Sequence, residues 1–155
     1  CLVTGNPLSC TGCFLRKDIS KEFLFNEDRN LAGSEDWELW FRVLASHGIK
    51  PDNRISARMY NHDLRSVMVE AQEKKLVQRK ELALKYAFKD PKVREKYDPY
   101  YKKIDAFGDA YIALHLVLLG DKKRSFFYTK KFVKSYPAAL FTKRFMVIVK
   151  YMLFN

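Results

Sequence analysis

Apolar and polar positions follow two different rhythms along this chain. Up to about residue 62 the pattern is mixed, with short apolar runs broken by turns and one long helical period between them. Cys13, Phe14 and Leu15 form a short apolar run that ends in the charged turn Arg16-Lys17-Asp18. Ile55 to Tyr60 form a second run after the turn Pro51-Asp52-Asn53, and both runs are expected to be strands. Between them Trp37, Trp40, Phe41 and Leu44 recur at helical spacing, which predicts a helix from Ser34 to His47 with those four on its core face. Ser34 is suited to cap its start, Glu35 and Asp36 complement the positive end of the helix dipole, and Gly48 stands where a C-cap is expected.

Beyond residue 64 the pattern is helical throughout. Ser66 to Phe88 places Val69, Leu76, Ala83 and Tyr86 among charged positions. Pro91 and Pro99 each follow an aspartate, a place where a new helix starts with proline in its first turn. Ile104 to Leu119 is the most apolar helix and is stopped by Gly120; Lys122 to Tyr136 and Pro137 to Phe154 follow as two more. One helical hairpin is below the three or so repeats of a free-standing solenoid, so this end is read as an accessory bundle. The expected fold class is an α/β part at residues 1–63 followed by an α-helical bundle at residues 64–155, mostly α overall.

Composition sharpens this picture. An apolar fraction of 48% and an aromatic fraction of 15% supply a packed core and exclude a disordered chain. The formal net charge is +11, and it is unevenly spread. From Asp121 to Asn155 nine Lys/Arg face one acid, a local charge of +8 that leaves +3 for the first 120 residues. A basic end of this kind asks for an anionic neighbour. Three cysteines, Cys1, Cys10 and Cys13, are an odd number crowded into the first 13 positions, so a reducing compartment is expected rather than a disulfide framework. The opening CLVTGNPLSC has neither a basic n-region before an apolar run nor an initiator Met, and the chain is expected to be cut from something longer. The most apolar stretch, Phe145 to Phe154, is interrupted by Lys150 and falls short of the roughly 20 residues that span a bilayer.

The segment from Phe25 to Arg42, FNEDRNLAGSEDWELWFR, carries the candidate chemistry. Two adjacent carboxylates at a helix N-terminus are held ionised by free backbone N–H groups and the dipole. At the mouth of a cleft such a carboxylate can act as a general base toward a hydroxyl; on a plain surface it only stabilises the first turn. The segment resembles the family-2 glycosyltransferases of the GT-A fold, in which a phrase like "F-x-E-x-x-x-x-x-E-D-W-x-L-W-x-R" has counterparts here in Phe25, Glu27, Glu35-Asp36-Trp37, Leu39-Trp40 and Arg42, with a longer gap between Glu27 and Glu35 than in that phrase. Upstream, Gly12-Cys13-Phe14-Leu15-Arg16-Lys17 resembles the family's small-residue strand leading to "F-R-K" and the acceptor loop. Downstream, Tyr60-Asn61-His62 and Arg65-Ser66 resemble its "Y-R-x-H-x-x-S" tail. Together these cover residues 5 to 66 in order.

The resemblance implies that Asp36 is the general base of an inverting transfer, that Glu35 orients the acceptor beside it, and that Gly12 and Trp37 border the acceptor. Trp40 is assigned to the core. It also implies that His62 helps hold a divalent cation, manganese or magnesium, in the full-length enzyme, and that residues 1–63 are a remnant of a larger α/β domain. The family's nucleotide-binding half and its D-x-D pair have no counterpart here, and Lys21-Glu22 stand near the place of its usual Gly-Gly. The chain alone is therefore expected to bind no cofactor and to transfer no sugar. The full-length enzyme is expected to take a nucleotide-sugar donor and a glycan, lipid-linked or protein acceptor, in the cytoplasm or at the inner membrane face.

Other signals are weaker. Cys10-Thr11-Gly12-Cys13 is a C-x-x-C without paired partners for zinc, since His47, His62 and His115 are all isolated, and it reads as two small buried residues on a strand. His115 and His47 read as structural. Lys143, Arg144 and Lys150 mixed with Phe145, Met146, Val147, Tyr151, Leu153 and Phe154 suit either an anionic membrane surface or docking, onto the rest of the protein or in a homodimer. No nucleic-acid module is recognisable and no nucleic-acid partner is expected. The competing reading of the whole chain is non-enzymatic: a basic helical module for protein or membrane-surface interaction.

Overall fold

The computed structural model describes residues 2–8, 10–52, 54–55, 57–58 and 72–154. Seven α-helices carry the described chain: α1 Lys17–Glu22, α2 Glu35–Ser46, α3 Glu73–Ala87, α4 Pro91–Tyr97, α5 Tyr101–Leu118, α6 Lys122–Ser135 and α7 Lys143–Phe154. Short 3-10 turns at Leu2–Thr4, Cys10–Gly12, Arg29–Leu31, Asp98–Tyr100 and Pro137–Phe141 fill the corners. The architecture is mostly α, as expected.

No β-strand occurs among the described residues. The run Cys13–Leu15 is irregular instead of a strand, and so are the described residues of the Ile55–Tyr60 run, positions 55, 57 and 58. Cys13 and Leu15 are half-buried while Phe14 is exposed, so the run alternates in and out without a neighbouring strand to bond. The expected turn at Arg16-Lys17-Asp18 is the start of α1, where Arg16 and Asp18 pair at 2.6 Å.

Helix α2 lies where its periodicity put it, but both of its ends are built differently. Ser34 sits at the N-cap without a side-chain capping bond. The acids themselves take backbone donors: Glu35 accepts from Gly33 N–H, and Asp36 Oδ1 accepts from Trp37 N–H at 2.7 Å. Gly33 makes the tight entry possible, with a φ of 91° that side-chain-bearing residues avoid. At the other end the cap is His47, in extended conformation, so Gly48 does not serve as one. The proline signals hold. Asp90 caps α4 by accepting from Lys92 N–H at 2.8 Å with Pro91 in the first turn, and Pro99 lies in the 3-10 turn that feeds α5. The expected helix from Pro137 is split. A 3-10 turn ends at Phe141, and Thr142 Oγ1 accepts from Phe145 N–H at 3.3 Å to start α7 afresh.

Two buried clusters hold these helices together. The first joins Leu2, Phe23, Leu31 and the α2 face (Trp37, Leu39, Trp40, Phe41, Val43, Leu44) to Ala83, Leu84 and Ala87 of α3, Val93 and Tyr97 of α4, and Ile104. Phe41 is its centre, edge-on to Tyr97 with ring centroids 5.1 Å apart. Trp40 is buried here, as assigned, its Nε1 donating to the Leu8 carbonyl at 3.2 Å. The second cluster gathers Leu76, the inner face of α5, Tyr128 and Phe132 of α6, Ala139 of the 3-10 turn after α6, and Ile148 of α7. Helix α5 runs through both, which fits its being the most apolar of the described helices. Among the described residues no helix is long and apolar enough to cross a membrane.

Candidate active site

Asp36 stands on the first turn of α2, where α2 faces the seam between the two clusters. It lines a cavity of about 220 Å³ together with Gly5, Asn6, Gly33, Ser34 and Trp37 on one side and Leu76, Lys80, Phe107, Gly108 and Tyr111 on the other. That volume is below the roughly 300–1,000 Å³ of pockets for drug-sized ligands, which leaves room for one ring-sized group. Three aromatic residues and a few polar groups wall it, the usual composition of a small-molecule site.

The carboxyl of Asp36 is half-buried. Burial pushes its pKa above the ordinary value; the Trp37 N–H bond opposes that push, the nearby Glu35 adds to it, and the Asn6 side chain opposes it again. The net shift is upward, which makes the ionised group a stronger base than a solvated aspartate. Its charge reaches the neighbouring thiols. Burial first, and Asp36 second, raise the pKa of both Cys10 and Cys13, holding them in the thiol form.

The other expected site residues divide. Trp37 lines the cavity beside Asp36, buried and tilted against Phe41, and its Nε1 is a buried donor with no partner. Glu35 is adjacent in sequence, but its carboxylate turns back to the Gly33 N–H and takes no place in the cavity wall. Gly12 lies in an exposed 3-10 turn outside the cavity wall. His62 falls outside the described residues. Among the described residues no three His, Cys, Asp or Glu side chains converge to hold a metal ion. His62, the residue expected to help hold a divalent cation in the full-length enzyme, is not among them.

Arg42, the last residue of the motif, is structural. It donates to both oxygens of the buried Glu38 at 2.7 and 2.9 Å and to the Leu24 carbonyl at 2.7 Å, which pins the preceding loop to α2.

The far wall was not legible as a site. Lys80 Nζ is buried and lies 2.8 Å from Asp105 Oδ1 and 2.8 Å from Asp109 Oδ1. Asp109 Oδ2 makes no hydrogen bond of good geometry; its compensation is Lys131 Nζ at 3.3 Å. Burial pulls the Lys80 pKa down, but the two carboxylates more than offset this and leave it raised, so the ammonium stays charged. The lysine stem crosses α5 at Gly108, where a Cβ would stand 2.4 Å from Lys80 Cδ. Beyond it the Tyr111 ring lies tilted against His115 with ring centroids 4.2 Å apart. Burial raises the Tyr111 pKa and, with Arg144 and Arg79, lowers that of His115, which keeps the imidazole neutral. The one sequence signal for this wall was the i, i+4 pair Asp105 and Asp109 on a largely apolar helix, with Lys80 four residues after Leu76 on the buried face of α3.

No family model, curated protein or solved structure matches this chain.

Proposed function

We propose that this chain forms the acceptor side of an inverting, nucleotide-sugar-dependent glycosyltransferase of the GT-A type, with Asp36 as its general base. The observation that supports this reading is the placement of Asp36: a half-buried carboxylate with a raised pKa on the wall of an aromatic-lined cavity. An acid that served only the helix dipole gains nothing from burial beside three rings, because burial costs the charge its solvation.

In the proposed reaction an acceptor hydroxyl lies against Asp36. The carboxylate takes the hydroxyl proton as the oxygen attacks the anomeric carbon of the donor. The glycosidic bond forms while the bond to the nucleoside diphosphate breaks, and the electron pair leaves with the diphosphate. A single in-line displacement inverts the anomeric centre. Trp37 and Tyr111 line the cavity, and aromatic rings suit the apolar face of a sugar. On this reading residues 1–63 belong to an α/β catalytic domain that works in the cytoplasm, and the donor-binding half lies elsewhere in the full-length polypeptide.

The test is sugar transfer by the full-length polypeptide from a panel of nucleotide sugars with manganese, beside its Asp36→Asn variant. Loss of the general base should lower turnover by about 10²–10⁴-fold with donor binding retained. Turnover that survives the substitution, or no transfer from any donor by the unmodified protein, removes Asp36 from catalysis.

A further inference from the structure

Helix α7 is amphipathic in an unusual sense. Its inner side packs Ile148, fully buried, with Phe145 and Met152 into the second cluster. Its outer side is apolar too. Lys143, Met146, Lys150, Leu153 and Phe154 are all exposed, and at 3.6 residues per turn they fall within an arc of about 100°. Phe141, in the 3-10 turn just before the helix, is 91% exposed and extends this apolar and basic group. Arg144 does not join it, since its guanidinium reaches back to within 3.4 Å of where a Cβ on Gly5 would stand.

We propose that this outer stripe of α7 rests on the surface of an anionic phospholipid bilayer, with the helix lying in the plane of the headgroups. Large exposed apolar side chains mark an interaction surface, and the lysines among them decide its partner. A second copy of this chain would set +8 against +8 over the last 35 residues, with Asp121 the sole acid to relieve it. The centres of protein interfaces are also depleted in lysine. Nucleic acid would accept the charge but leave Met146 and Leu153 in water. A bilayer accepts both. Phe141, Met146, Leu153 and Phe154 enter the acyl boundary, while the stems of Lys143 and Lys150 lie along it and carry their ammonium groups to the lipid phosphates. The proposal stands apart from the reading of Asp36.

The experiment is co-sedimentation of the full-length protein with phosphatidylcholine vesicles, with and without phosphatidylglycerol. Binding is expected only to the anionic vesicles, weakening as salt is raised. Lys143→Gln with Lys150→Gln should reduce the partition coefficient by about 25-fold, fivefold for each lysine. Met146→Gln with Leu153→Gln should reduce it at least about tenfold. Lys85→Gln with Lys92→Gln, an equal loss of charge at exposed positions on α3 and α4, should change it by less than about twofold. All these positions are exposed, and unchanged melting temperatures confirm that the variants fold. Absence of binding to anionic vesicles overturns the proposal, as does binding that survives both α7 pairs. A concentration-dependent dimer dissolved by Met146→Gln with Leu153→Gln, without vesicle binding, overturns it in favour of a second copy on the stripe.

Discussion

Replacing Lys80 with methionine tests the physical account of the cavity's far wall most directly. Methionine keeps most of the stem that crosses Gly108 but removes the ammonium held 2.8 Å from both Asp105 and Asp109. Asp109 is then left with a side chain 1% exposed and only Lys131, half in solvent at 3.3 Å, to answer its charge. Breaking a buried pair by removing one partner costs about 3–5 kcal/mol, and the remaining lysine places this case near the lower bound. For a chain of this size each kcal/mol moves the melting temperature by about 2–4 °C, so a fall of about 6–12 °C is expected. Urea unfolding followed by circular dichroism gives the free energy directly. The double variant Lys80→Met with Asp109→Leu should recover most of the loss, because it removes the stranded charge, while Asp105 remains one-third exposed and solvated. A loss below about 1 kcal/mol for the single variant, or a double variant no better than the single, would refute the claim that this network is a tightly compensated buried unit.

Two further outcomes follow from the same wall and its opposite. Gly108→Ala should cost about 1–3 kcal/mol by forcing the Lys80 stem off its path, and almost nothing when Lys80 is already alanine; a double-mutant cycle measures that coupling. Asp36 has a folded-state pKa raised above its unfolded value, so its ionised form is a penalty to folding. That penalty is fully present above the folded pKa and disappears as pH falls below the unfolded value near 3.9. Asp36→Asn should therefore melt higher than the unmodified chain at neutral pH and level with it near pH 3; a lower melting temperature at pH 7 would contradict the burial argument.

The parts of the fold that depend on one element were legible in the sequence. Trp37, Trp40, Phe41 and Leu44 announced α2, Asp90-Pro91 announced α4, and Gly120, at a φ of 86°, ended α5 near where it was expected to. What depended on pairing was not. Whether Cys13–Leu15 becomes a strand is decided by a neighbour's backbone, and no apolar alternation reports on that neighbour. The cavity divided in the same way. Asp36 and Trp37 were visible because they share one helical turn, whereas Lys80, Gly108 and Tyr111 come from helices more than 40 positions away. A lysine and two aspartates also read as a solvated face until their partners are known, since charge pattern alone does not reveal burial.

The edge-on contact of Phe41 with Tyr97 has a consequence for how the chain is made. The two rings that centre the first cluster are separated by 56 positions (97 − 41). At a synthesis rate of about 5–20 residues per second, Tyr97 is added roughly 3–11 seconds after Phe41. During that interval the aromatic face of α2, with Trp37 and Trp40, has no α4 to cover it. The nascent chain thus presents an aromatic face without its α4 cover for seconds on every round of translation, and holding chaperones would find a target there before the cavity beside Asp36 exists.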